Sequence, residues 1–189
     1  MIDDLRPGLA RWVTPHPEWK PEEDGLDESY GGVASVLHVA SDALVLVDPL
    51  VTDSLWPELD ARIEAIGKPV VVLTTIHWHA RSRDEVAKRY DARRGGEAQG
   101  VRAFDAGRQD EVALWLEGSR AVVLADAVIG DQHGGLRVSP WFKFDAERER
   151  TRVALLPLLD LPIEIVLPAH GNAVLEGGRR ALEKALASA

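Results

Sequence analysis

Val70-Val71-Val72-Leu73-Thr74-Thr75-Ile76-His77-Trp78-His79-Ala80-Arg81-Ser82 is the stretch on which the fold turns. Its first half is a continuous apolar run rich in β-branched residues, the pattern of a strand buried on both faces. The run stops directly at two histidines spaced two apart. If the backbone stays extended there, both imidazoles leave the same face. Paired imidazoles on a rigid strand end are a common metal-ligand geometry. Trp78, between them, reads either as a wall of the pocket or, since a residue between two same-facing positions points the other way, as a core residue.

Upstream, Gly67-Lys68-Pro69 closes a helix over Ser54–Ile66, with Leu55, Leu59, Ile63 and Ile66 on one face. Before it, Val33–Val39 and Ala43–Val47 read as strands around a Ser41-Asp42 turn, and Asp48-Pro49 ends the second. Residues 15–32 are rich in Pro, Glu, Asp and Gly and predict an irregular surface loop. Downstream, Arg83–Arg93 predicts a helix broken by Gly95-Gly96. Short strands follow over Val101–Phe104, Val112–Leu116 and Ala121–Leu124, with a turn at Glu117-Gly118. Gly130–Gly135 is a loop. Ala146–Leu159 predicts a helix whose last turn Pro157 limits. Ile163–Leu167 is a strand, and Ala173–Ala187 is a closing helix weakened by Gly177-Gly178. Strands that first form a meander and then alternate with helices predict a layered α/β protein, one domain over residues 1–189.

The composition narrows the chemistry. There is no cysteine, so disulfides and thiolate ligands are excluded, and any metal must be held by His, Asp or Glu. The formal net charge of −9 makes nucleic acid a poor partner, because an acidic surface repels phosphate backbones. No segment reaches the ~20 apolar residues of a membrane span, and the acidic start Met1-Ile2-Asp3-Asp4 lacks a signal peptide's apolar core. The expectation is a cytoplasmic protein without a membrane partner.

Three apolar strands end in a potential ligand: His77 and His79, Asp126, and His170. Ligands bind where strand ends converge at one edge of a sheet. Taken alone, each has a plainer reading, as a hydrogen-bonded core histidine or a turn cap. His16 and His38 read as structural. His133, in the Gly-rich loop, is a possible replacement ligand at the cleft mouth. Ser82 beside His79 lacks the strained elbow of a serine hydrolase.

The order of these elements resembles the metallo-β-lactamase superfamily across nearly the whole chain. Leu46-Val47-Asp48-Pro49 matches its strand-ending element. His77-Trp78-His79-Ala80-Arg81-Ser82 is similar to its His-x-His-x-Asp-His signature. Asp105-Ala106-Gly107-Arg108-Gln109 corresponds to its Pro-Gly-His-Thr element, Ala125-Asp126 to its Gly-Asp strand end, and Pro168-Ala169-His170-Gly171 to its late Pro-Gly-His-Gly element. The resemblance implies a shortened αββα sandwich with two metals. His77, His79 and a third His would hold one metal. The signature's Asp and His with His170 would hold the other, and Asp126 would bridge them. Here Arg108, Arg81 and Ser82 stand where three of the seven ligands belong, so the site reads as degenerate.

Guanidinium has no acceptor, stays charged and cannot coordinate zinc. Two readings follow. In one, the cleft is metal-poor or metal-free. Arg81 and Arg108 pair with Asp48 and Asp126, and the cleft takes a small anion or serves as an interaction module. In the other, a single zinc, iron or manganese is held by His77, His79, Asp126 and His170, with Asp48 and Ser82 in support. The protein is then a hydrolase of an ester, lactone or phosphodiester in which Asp126 doubles as proton acceptor. A chain this short has little room for specificity insertions, so an open cleft is expected. A homo-oligomer would draw on Trp56, Trp115 and Trp141 if they were exposed.

Overall fold

The computed structural model describes residues 1–20, 30–131 and 133–188. A six-stranded sheet runs in the order β1 (Asp3–Arg6), β2 (Leu9–Pro15), β3 (Gly32–Val39), β4 (Leu44–Val47), β5 (Val70–Leu73), β6 (Arg93–Arg94). The first four strands are antiparallel neighbours; β4, β5 and β6 are parallel. The second sheet runs β12 (Ile165–Pro168), β9 (Ala121–Leu124), β8 (Val112–Leu116), β7 (Val101–Asp105), with β12 and β9 parallel. A separate hairpin pairs β10 (Val128–Gly130) with β11 (Leu136–Val138).

Period-two alternation distributes each strand's side chains between two layers. Val45, Val47, Val71 and Leu73 of the first sheet meet Leu114, Leu116, Val123, Ile165 and Leu167 of the second. Leu44, Leu46, Val70 and Val72 face outward against α1 (Trp56–Ile66) and α2 (Arg83–Tyr90). Val122, Leu124 and Val166 face α3 (Asp145–Leu155) and α4 (Gly178–Ala187). The product is the expected αββα sandwich.

Several expectations need correction. The region before the Pro-rich loop forms β1 and β2, where no strand is expected. Arg11 breaks the apolar alternation of β2; its Nη2 donates to the carbonyls of Pro168 (3.4 Å) and Gly171 (3.0 Å). The helix from Arg83 stops at Tyr90, because Asp91 turns left-handed at φ 50°, which frees Arg93-Arg94 to pair with β5. The helix from Asp145 gives way to a 3₁₀ turn over Leu156–Asp160 around Pro157. The closing helix starts only at Gly178. Trp56 and Trp115 are buried and offer no partner surface. Part of the 15–32 loop, residues 21–29, lies outside the described residues. No helix among the described residues is long and apolar enough to cross a membrane.

Main-chain bonds join the two sheets at one end of the sandwich. Ala34 N–H donates to Ala169 O at 2.8 Å, and Val112 N–H donates to Thr75 O at 2.8 Å. The residues that follow β4, β5, β9 and β12 all emerge at this end.

Candidate metal centre

β5 does not run on into the histidines. His77–Ala80 coils into a 3₁₀ turn, with His79 N–H bonded to Ile76 O at 2.8 Å. At about three residues per turn, positions two apart point about 120° away from each other rather than the same way. The expected convergence of His77 and His79 therefore fails. His79 is 3% exposed and points inward. His77 is exposed, and its ring meets the edge of Trp78 at 4.6 Å. Trp78 is not in the core either: it is 44% exposed and walls the cleft, the other of its two expected places.

Asp48, just past β4, has φ 47°. Its carboxylate accepts from Thr75 N–H at 2.8 Å and from the Thr75 hydroxyl, and lies 3.0 Å from His79 Nδ1. A carboxylate is acceptor-only, so this contact places the His79 proton on Nδ1. His170, just past β12, has its Nδ1 3.0 Å from the carbonyl of Tyr30, which fixes the same tautomer. Both histidines therefore turn Nε2 toward Asp126, at the end of β9. The distances from Asp126 Oδ1 are 3.2 Å to His79 and 3.6 Å to His170. Asp126 Oδ2 is occupied separately by Trp78 Nε1–H at 2.8 Å. Oδ1 is buried and has no aligned hydrogen-bond donor among the described residues; the His79 contact is close but not directed as a hydrogen bond.

These electrostatics are mutually dependent. Burial disfavours charge on His79, but Asp126 and Asp48 outweigh it and lift the pKa. Burial lowers His170, with Asp126 and the Tyr30 carbonyl opposing. Burial alone would raise Asp126; contact with His79, His170 and Trp78 brings it well below the usual carboxylate range.

Neither arginine pairs with Asp126. Arg81 holds a strained backbone, φ 39° and ψ −117°, of a kind that costs about 1–3 kcal/mol. This turns its side chain under the sheet, where Nη1 donates to the main-chain carbonyls of Ala34 and Asp48, both at 3.0 Å. The expected bidentate pairing with the Asp48 carboxylate is replaced by these bonds. Arg108 lies over the Trp78 ring at 4.9 Å and near Phe142 at 5.7 Å; its closest acid is Glu111 Oε2, at 3.7 Å. Ser82 faces away from the cluster: its Oγ accepts from Val51 N–H at 3.0 Å, tying the start of α2 to the segment after β4. His133 is exposed, outside the cluster. His38 is structural, at 3.0 Å from Ser119 Oγ between the sheets.

Sequence reasoning missed four contributors. Tyr30 orients His170 through its main chain, which no side-chain pattern signals. Trp78 fixes Asp126. Trp141 stands edge-on to His170 at 5.3 Å. Glu111 is a 2% exposed carboxylate whose Oε1 accepts from Ala127 N–H at 2.7 Å. Burial pushes Glu111 up to about 7, against the pull of that bond and of Arg108 and His79. The His79, Asp126 and His170 ligand atoms all lie within 4.8 Å of one another. A cavity of about 440 Å³ opens over the cluster, and a second of about 530 Å³ adjoins it, sharing Trp78 and Arg108. One wall of the first comes from His16, Glu18 and Trp19.

No family model matches the chain, and no curated protein matches its sequence. Solved structures do match its shape. The DIM-1 metallo-β-lactamase aligns with a TM-score of 0.64 at 14% identity, covering 100% of this chain and 97% of that one. A metallo-β-lactamase from Erythrobacter litoralis gives 0.61 at 17%, covering 98% and 90%. The mono-zinc form of the metallo-β-lactamase FIM-1 from Pseudomonas aeruginosa gives 0.61 at 12%, covering 100% and 95%.

Proposed function

We propose, from the premise that this chain has the metallo-β-lactamase fold, that it is a hydrolase with a reduced centre for one divalent metal ion. The proposed ligands are His79 Nε2, Asp126 Oδ1 and His170 Nε2. The carrying observation is that three potential ligand atoms face one another in a buried space, with both Nδ1 protons committed elsewhere. The buried Asp126 carboxylate calls for a cation beside it, which a metal ion supplies when bound and a proton on His79 supplies otherwise. Ligands about 2.1 Å from a tetrahedral zinc stand about 3.4 Å apart, and the 3.2 and 3.6 Å separations bracket that value. An ion held there supplies Lewis acidity toward a carbonyl or phosphoryl oxygen, which fits an ester, lactone or phosphodiester.

The chain's own residues do the rest. Asp48 and the Tyr30 carbonyl orient the two imidazoles, as outer partners of metal-binding histidines do. Trp78 holds Asp126 Oδ2 so that Oδ1 faces the centre. Arg81 supplies a fixed positive charge beneath Asp48 and leaves no room for a second ion's carboxylate ligand. Two metals are not supported.

Elemental analysis of protein purified without chelator tests this. The expected result is about one zinc, iron or manganese per chain, lost in Asp126→Ala and His170→Ala and kept in His77→Ala. Loss of metal in His77→Ala would overturn the ligand set. Protein that stays metal-free after incubation with zinc and manganese would sink the centre. The cleft would then return to an anion-binding or interaction role, with His79 as its internal cation.

A further inference from the structure

We infer that Arg108 is the recognition cation of the cleft, and that its ligand carries a single carboxylate on a flat, apolar skeleton, as arylalkyl carboxylic acid derivatives do. The inference rests on reading the cleft as a substrate site, not on the metal.

Arg108 is poised in an unusual way. It lines both the cavity over the cluster and the cavity beside it. Trp78 and Phe142 hold its guanidinium by cation–π contact. Its Nη1 is buried on the Glu111 side, 3.7 Å from Oε2, while the side chain as a whole stays 31% exposed and lines the cavities. A guanidinium already fixed by two rings gives an incoming carboxylate charge-assisted hydrogen bonds from its exposed edge at little ordering cost. The orientation is locked to the chemistry, because the Trp78 ring under Arg108 also holds Asp126. An anion on Arg108 is therefore placed at a set distance and direction from Asp126 and His79.

The remaining surface selects the skeleton. Trp19, Trp78 and Trp141 line one cavity, and Phe142 lines the other. Flat aromatic walls favour flat apolar groups. A monoanion is favoured over a phosphate dianion because Glu18 and Glu147 also line these cavities and, among the described residues, one guanidinium is held inside. Arg150 reaches the rim of the second cavity but is exposed.

Phenylacetate titrated calorimetrically into chelator-treated protein tests the inference, with neutral phenylacetamide and phenyl phosphate as comparisons. Phenylacetate is expected to bind saturably and about tenfold or more tighter than either comparison, the size expected for a hydrogen bond to a charged group. Arg108→Gln should lose that margin, Arg108→Lys should keep part of it, and Arg150→Gln should leave it in place. Circular dichroism on each variant checks the fold. Equal binding of phenylacetate and phenylacetamide, tighter binding of phenyl phosphate, or unchanged binding by a folded Arg108→Gln would overturn the inference. Metal bound by a protein whose phenylacetate affinity ignores Arg108 sinks this inference alone. Arg108-dependent binding in protein that takes up no metal sinks the metal centre alone.

Discussion

His38 gives the sharpest quantitative check on the packing, and it lies away from the cleft. It is 2% exposed in the inter-sheet layer of β3 and touches Ser119 Oγ at 3.0 Å. Burial pushes its pKa from 6.5 down to about 4, against a smaller pull from the Gly8 carbonyl. The sign follows from linkage. The folded state prefers neutral His38, so this contribution is fully present above pH 6.5 and is lost as pH falls toward 4, where only the unfolded chain has taken up the proton. A fall from 6.5 to about 4 corresponds to about 3 kcal/mol when complete, and about 2 kcal/mol of it is gone by pH 5. His38→Gln removes the titration but keeps a polar side chain opposite Ser119. Urea unfolding at a series of pH values, with chelator in every sample, should show wild type losing about 2 kcal/mol more than the variant between pH 8 and pH 5. The absolute offset at pH 8 reports only the side-chain exchange; the difference in slope reports the buried imidazole. Parallel slopes would mean that His38 is not held neutral by burial, and the reasoning would fail.

Glu111 titrates with the opposite consequence. Its pKa rises to about 7 on folding, so its contribution is present below about 4.5 and is lost as pH rises toward 7. Glu111→Gln should therefore gain about 1–3 kcal/mol on wild type at pH 8 and nothing at pH 4, measured by denaturant unfolding of chelator-treated protein. Gly107 has φ 76°, and a Cβ there would stand 2.6 Å from Arg150 O and from Thr151 Cα in the backbone of α3. Gly107→Ala should cost about 3 kcal/mol or more, which for a chain of this size lowers the melting temperature by about 6–12 °C. The same change should weaken phenylacetate binding, because Gly107 sets the position of Arg108.

The elements that read most directly from sequence are those whose two faces are both apolar. Leu44–Val47, Val70–Leu73, Ala121–Leu124 and Ile165–Leu167 supply side chains to two buried layers at once, so their pattern needs no partner to interpret. β2 was illegible because Arg11 interrupts it, and only the folded chain shows that arginine spent on the carbonyls of Pro168 and Gly171. Within the candidate site, the Asp126 and His170 positions followed from strand ends. The His77/His79 geometry did not, because a one-turn 3₁₀ segment and an extended one share the same residues. The destinations of Arg81 and Arg108 depended on a positive φ at Arg81 and on the aromatic rings of Trp78 and Phe142, neither of which spacing encodes.

The two bonds that cross the layers, Ala34 N–H to Ala169 O and Val112 N–H to Thr75 O, have a consequence for tolerance to substitution. Both use main-chain atoms only. Any residue except proline can stand at the donor positions, and any residue at the acceptors, without losing the link. Sliding of one sheet past the other at this end is therefore resisted whatever the side chains are. Substitutions can accumulate through both sheets while His79, delivered by one, stays in register with Asp126 and His170, delivered by the other. The amides of Ala34 and Val112 should accordingly be among the slowest in the molecule to exchange with deuterium.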